Sequence, residues 1–152
     1  MQLICNNFML LALEQAERAL LHNEVPVGAV IVHNQQVVAA EHNLCVSLKD
    51  PTAHAEMLAI RKAASHLGQE RLFGCELYVT LEPCPMCAHA ISLARISTVF
   101  WGCDDLKGGG ILNGPRLYNQ HTCTHKPEIM PGIMAPECGA ILQKFFKSLR
   151  YS

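Results

Sequence analysis

Two short stretches of this chain carry the side-chain types that bind a transition metal and move protons. They are His54-Ala55-Glu56 and, after 26 intervening residues, Pro83-Cys84-Pro85-Met86-Cys87. One imidazole and two thiols supply the three protein ligands of a catalytic zinc, which keeps its fourth position for water. Zinc acidifies that water, and a carboxylate beside it can carry the proton to a substrate. Glu56 is placed for that role. The chemistry expected of His54, Cys84, Cys87 and Glu56 is hydrolytic attack on an sp² carbon, with proton delivery to a leaving amine.

Bland readings of the same residues stand beside this one. A lone Cys-x-x-Cys also fits a redox pair or half of a structural zinc site, whose fourth ligand would be Cys45, Cys75 or Cys103. A histidine in isolation is more often a helix-face residue than a ligand. Glu56 favours catalysis, because a closed structural site has no use for a carboxylate beside the metal. The remaining cysteines, including Cys5, Cys123 and Cys138, are scattered singly and read as small buried hydrophobes. Disulfides are a poor explanation without a secretory signal.

The metal-ligating residues need helix starts to hold them. Asp50-Pro51 predicts an N-cap and first helical residue, with a helix from there to about His66 closed by Gly68. Pro85 predicts a second helix running to about Ala94. Free N–H groups and the dipole at such starts stabilise thiolates. Glu56 lies two positions after His54, about 200° around an ideal helix, so the first turn must be irregular for both to line one pocket.

Other elements frame these two. Phe8, Leu11, Ala12, Gln15, Ala16, Ala19 and Leu20 recur at helical steps and predict an amphipathic first helix. Val25–Val32 and Val37–Ala40 predict a hairpin across His33-Asn34-Gln35-Gln36. Leu77–Leu81 and Thr98–Gly102 read as strands, and Ala135–Leu149 as a closing helix. Asp104–His125 has no periodicity and is longer than an ordinary connection, which predicts a functional loop with some helical turn. A hairpin followed by alternating helix and strand implies an α/β fold with a mixed sheet and helices on both faces. No repeat or linker interrupts it, so one domain over 1–152 is expected.

Composition sets outer bounds. Half of the 152 residues are hydrophobic and 16% are charged, with mean hydropathy +0.16, which excludes a disordered tail or charged linker. The formal net charge is −1, so any contact with a polyanion must come from a local basic cluster. Lys144, Lys147 and Arg150 form one, facing no acidic residue from Gly139 onward; a solvated helix face is the alternative. No run approaches the ~18 apolar residues of a membrane span. Met1–Leu13 lacks the basic segment and cleavage site of a signal peptide. The expected location is the cytoplasm, with no membrane partner and no organic cofactor.

With these residues in hand, the chain resembles the cytidine deaminase-like superfamily, whose zinc deaminases carry the His-x-Glu…Pro-Cys-x-x-Cys order. More closely it is similar to the bacterial tRNA-specific adenosine deaminases. The segments that carry the likeness are Asn23–Val30, His42-Asn43, Asp50–Glu56, Leu77–Cys87, Asp104–Gly109 and Phe145–Arg150. The resemblance implies a three-layer α/β/α sandwich around a five-stranded mixed sheet, one Zn²⁺ per chain and a homodimer. It implies that His54, Cys84 and Cys87 bind the metal and that Glu56 shuttles protons while a wobble adenosine becomes inosine. It also implies that Asn43 hydrogen-bonds the flipped base, and that Asp104, Asp105, Lys107 and Arg150 meet the anticodon stem-loop. Taken alone, Asn43 reads as a turn residue, and Asp104 and Asp105 as caps of the turn that follows. Unpaired anticodon bases suit such an enzyme, since extruding one costs little. Two alternatives stay open: a deaminase of a free base or nucleoside (guanine, cytosine or cytidine), and a zinc-stabilised binding module without catalysis.

Overall fold

Side chains alternate across the central strands, and that alternation decides which helices cover which face. In the computed structural model, which describes residues 1–150, Val30, Val32, Tyr78 and Phe100 point to one side. There they pack on Cys5, Met9 and Ala12 of the first helix, α1 (Gln2–Leu20), and on Cys138 of the last, α5 (Ala135–Arg150). The Tyr78 and Phe100 rings stack at 4.3 Å on this face. Ala29, Ile31, Leu77, Val79, Val99 and Trp101 point the other way. They meet the small residues Ala55, Ala59 and Ala63 of α3 (Ala55–Leu67), and Ala88 and Ile91 of α4 (Pro85–Leu93). The result is the three-layer α/β/α sandwich.

The sheet has five strands in the order β2-β1-β3-β4-β5: β1 Gly28–His33, β2 Gln36–His42, β3 Cys75–Leu81, β4 Thr98–Cys103 and β5 Glu128–Met130. β1 is antiparallel to both β2 and β3, while β3, β4 and β5 run parallel, so the sheet is mixed. Register puts the end of β2, the start of β1, and the ends of β3 and β4 at one edge, where Gly28 N donates to Thr80 Oγ1 (3.2 Å). Parallel sheets place their ligands at this carboxyl edge.

Several expected boundaries shift. β1 begins at Gly28 rather than Val25, because Pro26 has no N–H to give a ladder. The hairpin turn is Asn34-Gln35, both left-handed (φ 51° and 62°), and β2 continues to His42. The helix expected from Asp50-Pro51 starts instead at Ala55. Asp50 engages Thr52 with its carboxylate, accepting from its N–H (2.9 Å) and hydroxyl (2.7 Å) in an Asx turn. Gly68 closes that helix with φ 68°, as expected. The one-turn helix α2 (Cys45–Leu48) and the three-residue β5 are elements too short to show a period. Between β4 and β5 the long loop contains a single 3₁₀ turn, Leu117–Asn119. No helix among the described residues is long and apolar enough to cross a membrane.

Candidate active site

His54 is the N-cap of α3, with an extended backbone (φ −72°, ψ 152°), and Ala55 is the first helical residue. The ideal rotation of about 100° per residue therefore does not apply across this junction. His54 and Glu56 consequently enter the same pocket although two positions separate them. The helix start is held from outside: Asn43 Oδ1 accepts the Ala55 N–H at 2.7 Å. That bond satisfies one of the orphan donors of the first turn. On the other side of the pocket Cys84 is the N-cap of α4, Pro85 its first residue and Cys87 lies inside its first turn. The proline costs nothing there, because the first-turn N–H has no helical partner anyway.

The three ligand atoms gather within 4.8 Å of one another. His54 Nδ1 lies 3.6 Å from Cys84 Sγ and 3.6 Å from Cys87 Sγ. Zn–S bonds of about 2.3 Å and a Zn–N bond of about 2.0–2.1 Å at a tetrahedral angle require an N···S edge of about 3.6 Å. The donor set therefore fits zinc in both chemistry and spacing. Among the described residues no fourth side chain joins this group. Cys45 Sγ points to the Pro51 carbonyl, Cys103 Sγ to the Thr80 carbonyl, and Cys75 is buried at the start of β3.

Electrostatics in the pocket favour proton transfer. Burial pushes the Glu56 carboxyl up to about 7, the range a general base needs near neutral pH. The Cys84 thiol is pulled down to about 4, chiefly because the Cys87 thiol donates to it, while burial opposes. The same pairing raises Cys87, with burial adding to it. His54 is raised by its bond with Cys84. A bound cation would hold both thiols as thiolates.

The other expected site residues divide. Asn43 sits on the rim of the pocket, anchored through Oδ1 and with its Nδ2 bonded to no described residue. Asp104 Oδ1 accepts the Trp101 indole N–H at 2.8 Å. Asp105 Oδ1 accepts Lys107 N (3.2 Å) and Gly108 N (2.9 Å), which caps its own turn. Lys107 is exposed on that loop, and Arg150 is exposed in the last turn of α5. Arg150 stands twelve residues, ~18 Å of helix, beyond Cys138, which packs against Gly102 of β4. Phe145 and Phe146 meet edge to face at 5.3 Å, with Phe145 half-buried and Phe146 exposed.

Two carboxylates that sequence reasoning passes over are buried, Glu82 immediately before the metal-binding turn and Glu24 under α2. Glu24 accepts Val46 N (3.0 Å), Ser47 N (2.7 Å) and the Ser47 hydroxyl (2.8 Å), so it caps α2. Glu82 accepts five donors from the loop after β4. For both, burial raises the carboxyl but the donors outweigh it, and each ends below the ordinary glutamate range. The available signal for Glu82 was an acidic residue between the apolar run of β3 and Pro83; Glu24, after the polar His22-Asn23, offered none.

Residues 4–103 match the family described as the cytidine and deoxycytidylate deaminase zinc-binding region. The tRNA-specific adenosine deaminase of Agrobacterium fabrum is 49% identical over 144 residues, covering 95% of both chains. That of Aquifex aeolicus is 46% identical over 145 residues, covering 94% of both. Among solved structures, a chain from a study of A-to-I editing by tRNA:A34 deaminases at the wobble position superposes with a TM-score of 0.88 at 49% identity. The match covers 90% of this chain and 99% of that one. Guanine deaminase from Bacillus subtilis reaches 0.62 at 41% identity, over 64% of this chain and 63% of its own. Identity of this order, sustained from end to end over the same zinc-binding fold, makes the chain a member of the tRNA-specific adenosine deaminase family.

Proposed function

We infer that this enzyme hydrolyses the C6 amine of the wobble adenosine in a tRNA anticodon, giving inosine and ammonia. The observation that carries the reading is a single pocket in which three zinc ligands, joined by no fourth among the described residues, meet a buried carboxylate. Full-length similarity to proteins named tRNA-specific adenosine deaminases supports the substrate. Zinc, when bound by His54, Cys84 and Cys87, supplies the Lewis acidity that makes water a nucleophile at neutral pH. Glu56 accepts the proton on its carboxylate, passes it to N1 of the ring as C6 is attacked, and then serves the departing amine. A carboxyl held in a buried pocket beside the ligands can do both. Asn43 offers its Nδ2 to the flipped base while its Oδ1 keeps α3 in place.

Asp104, Asp105 and Lys107 present the loop that meets the anticodon, and Arg150 adds a backbone phosphate contact from α5. The chain works in the cytoplasm as a single deaminase domain over 1–152 and as a homodimer.

The test is inosine formation in an anticodon stem-loop bearing a wobble adenosine, with zinc measured on the same sample. About one zinc per chain together with inosine is the expected result. Turnover of free guanine or adenosine with the stem-loop untouched would overturn it.

A further inference from the structure

From Asp104 to Arg116 the loop after β4 has no helix or strand, yet Gly109, Gly110 and Ile111 within it are buried. Irregular backbone can be buried only if its N–H groups find partners. Here one side chain accepts four of them, from Asp105, Ile111, Leu112 and Asn113. Glu82, 2% exposed, stands immediately before the zinc-binding turn. Its Oε1 accepts Asp105 N (3.1 Å) and Asn113 Nδ2 (2.7 Å). Its Oε2 accepts Ile111 N (3.1 Å), Leu112 N (3.0 Å) and Asn113 N (3.1 Å). No ion pair among the described residues involves it, so converging N–H dipoles alone balance the charge.

The same loop is pinned to the metal-binding turn through its backbone. Gly110 N donates to the Pro83 carbonyl and Leu117 N to the Gly110 carbonyl, both at 2.8 Å. The approach leaves no room for a side chain: a Cβ on Gly109 would collide with Glu82 Oε2, and one on Gly110 would lie 2.5 Å from Pro85 N.

We propose that Glu82 is a positioning residue of the substrate site, whose carboxylate sets the path of Asp105–Asn113 over the zinc-binding turn and so controls how tightly RNA engages. It touches no reacting atom. The proposal rests on the RNA reading given under Proposed function. A carboxylate is required and an amide will not substitute, because five donors need two acceptor oxygens. In Glu82→Gln an NH₂ group replaces one of them and faces donors.

The expected result for Glu82→Gln is full zinc content and unchanged amide exchange in α3 and α4. Exchange across 105–113 should be faster by ~10-fold or more. KM for the stem-loop should rise ~10-fold or more while kcat at saturation moves less than ~3-fold, the split expected when only binding is weakened. Adding Asn113→Asp should recover part of the loss, since the amide introduced at position 82 then donates to the new carboxylate, and Asn113→Asp alone should be impaired. If Glu82→Gln fails to fold, Asn113→Ala takes its place, deleting one donor and raising loop exchange and KM by a smaller factor.

Unchanged loop exchange in whichever variant folds overturns the proposal. So does a loss carried by kcat alone, or an additive double variant. A wild-type enzyme that deaminates a free base but not the stem-loop overturns the RNA reading and this inference's claim on RNA. Its loop-exchange arm still reads the Glu82 clamp separately.

Discussion

The metal centre and the loop beside it are neighbours built in different ways. His54 and Cys84 are N-caps, and Cys87 lies in a first turn, so helix starts aim all three ligands. The loop from Asp105 to Asn113 has no such scaffold and is held by the buried Glu82 carboxylate, the Asp105 turn and one bond from Gly110 N to the Pro83 carbonyl. Each half of the centre is local, since Cys84 and Cys87 share one helical turn and Glu56 follows His54 by two positions, and the two halves meet across 30 and 33 positions. The rim is not local, since Glu82 reaches residues 29 to 31 positions away. Reactive groups need fixed geometry and sit on rigid elements, while the part that meets a large substrate is a loop held by a few bonds.

Substitutions can test how separable the two regions are. The largest effect is expected at the ligands. His54→Ala or Cys87→Ala should lose zinc and activity together and lower the thermal midpoint, and chelation of the wild type should do the same. Metal content by emission spectrometry with a melting curve decides it; a stable, zinc-loaded variant would contradict the ligand set. Next comes Glu56→Gln, which should keep zinc and midpoint but lose turnover by ~10²–10⁴ or more. Single-turnover kinetics at saturating stem-loop would read this, and retained activity would remove Glu56 from proton transfer.

Gly110→Ala couples the two regions, because its Cβ would press on Pro85 N and on Cys84 C at 2.7 Å. Overpacking of this kind costs about 1–3 kcal/mol, so the denaturation midpoint should fall and zinc should bind more weakly. A variant indistinguishable from wild type would show the loop free to move away. The smallest effect belongs to the outer rim. Replacing Lys107 and Arg150 should leave kcat intact and reduce the slope of log affinity against log salt by about one for each phosphate no longer neutralised. Titration of the stem-loop at several salt concentrations measures it, and an unchanged slope takes both residues out of the interface.

Much of this was legible in the chain. The apolar runs of Val25–Val32 and Leu77–Leu81, the proline at position 85 and the closing Gly68 each carry a local rule that the folded structure obeys. The zinc set was readable because each of its halves, His54-Ala55-Glu56 and Cys84-Pro85-Met86-Cys87, is a short motif in the sequence. The true start of α3 was not, since the residue that anchors it, Asn43, is twelve positions upstream, and Asp50 is occupied by its own Asx turn. Glu24 and Glu82 escaped notice for a related reason. A buried acid whose partners are backbone amides leaves no complementary basic residue to find. β5 has three residues, too few for any period, and is set by its pairing with β4.

The chemistry of this molecule is gathered at one edge of the sheet, and the opposite edge ends in the exposed Asn34-Gln35 turn. That separation gives the protein an engineering handle. An epitope, fluorophore or surface tether spliced into the turn would sit a full strand length from the pocket, in a connection whose residues are exposed. The fold thus provides an attachment point on its silent side, from which the enzyme could be immobilised with its reactive edge facing solution.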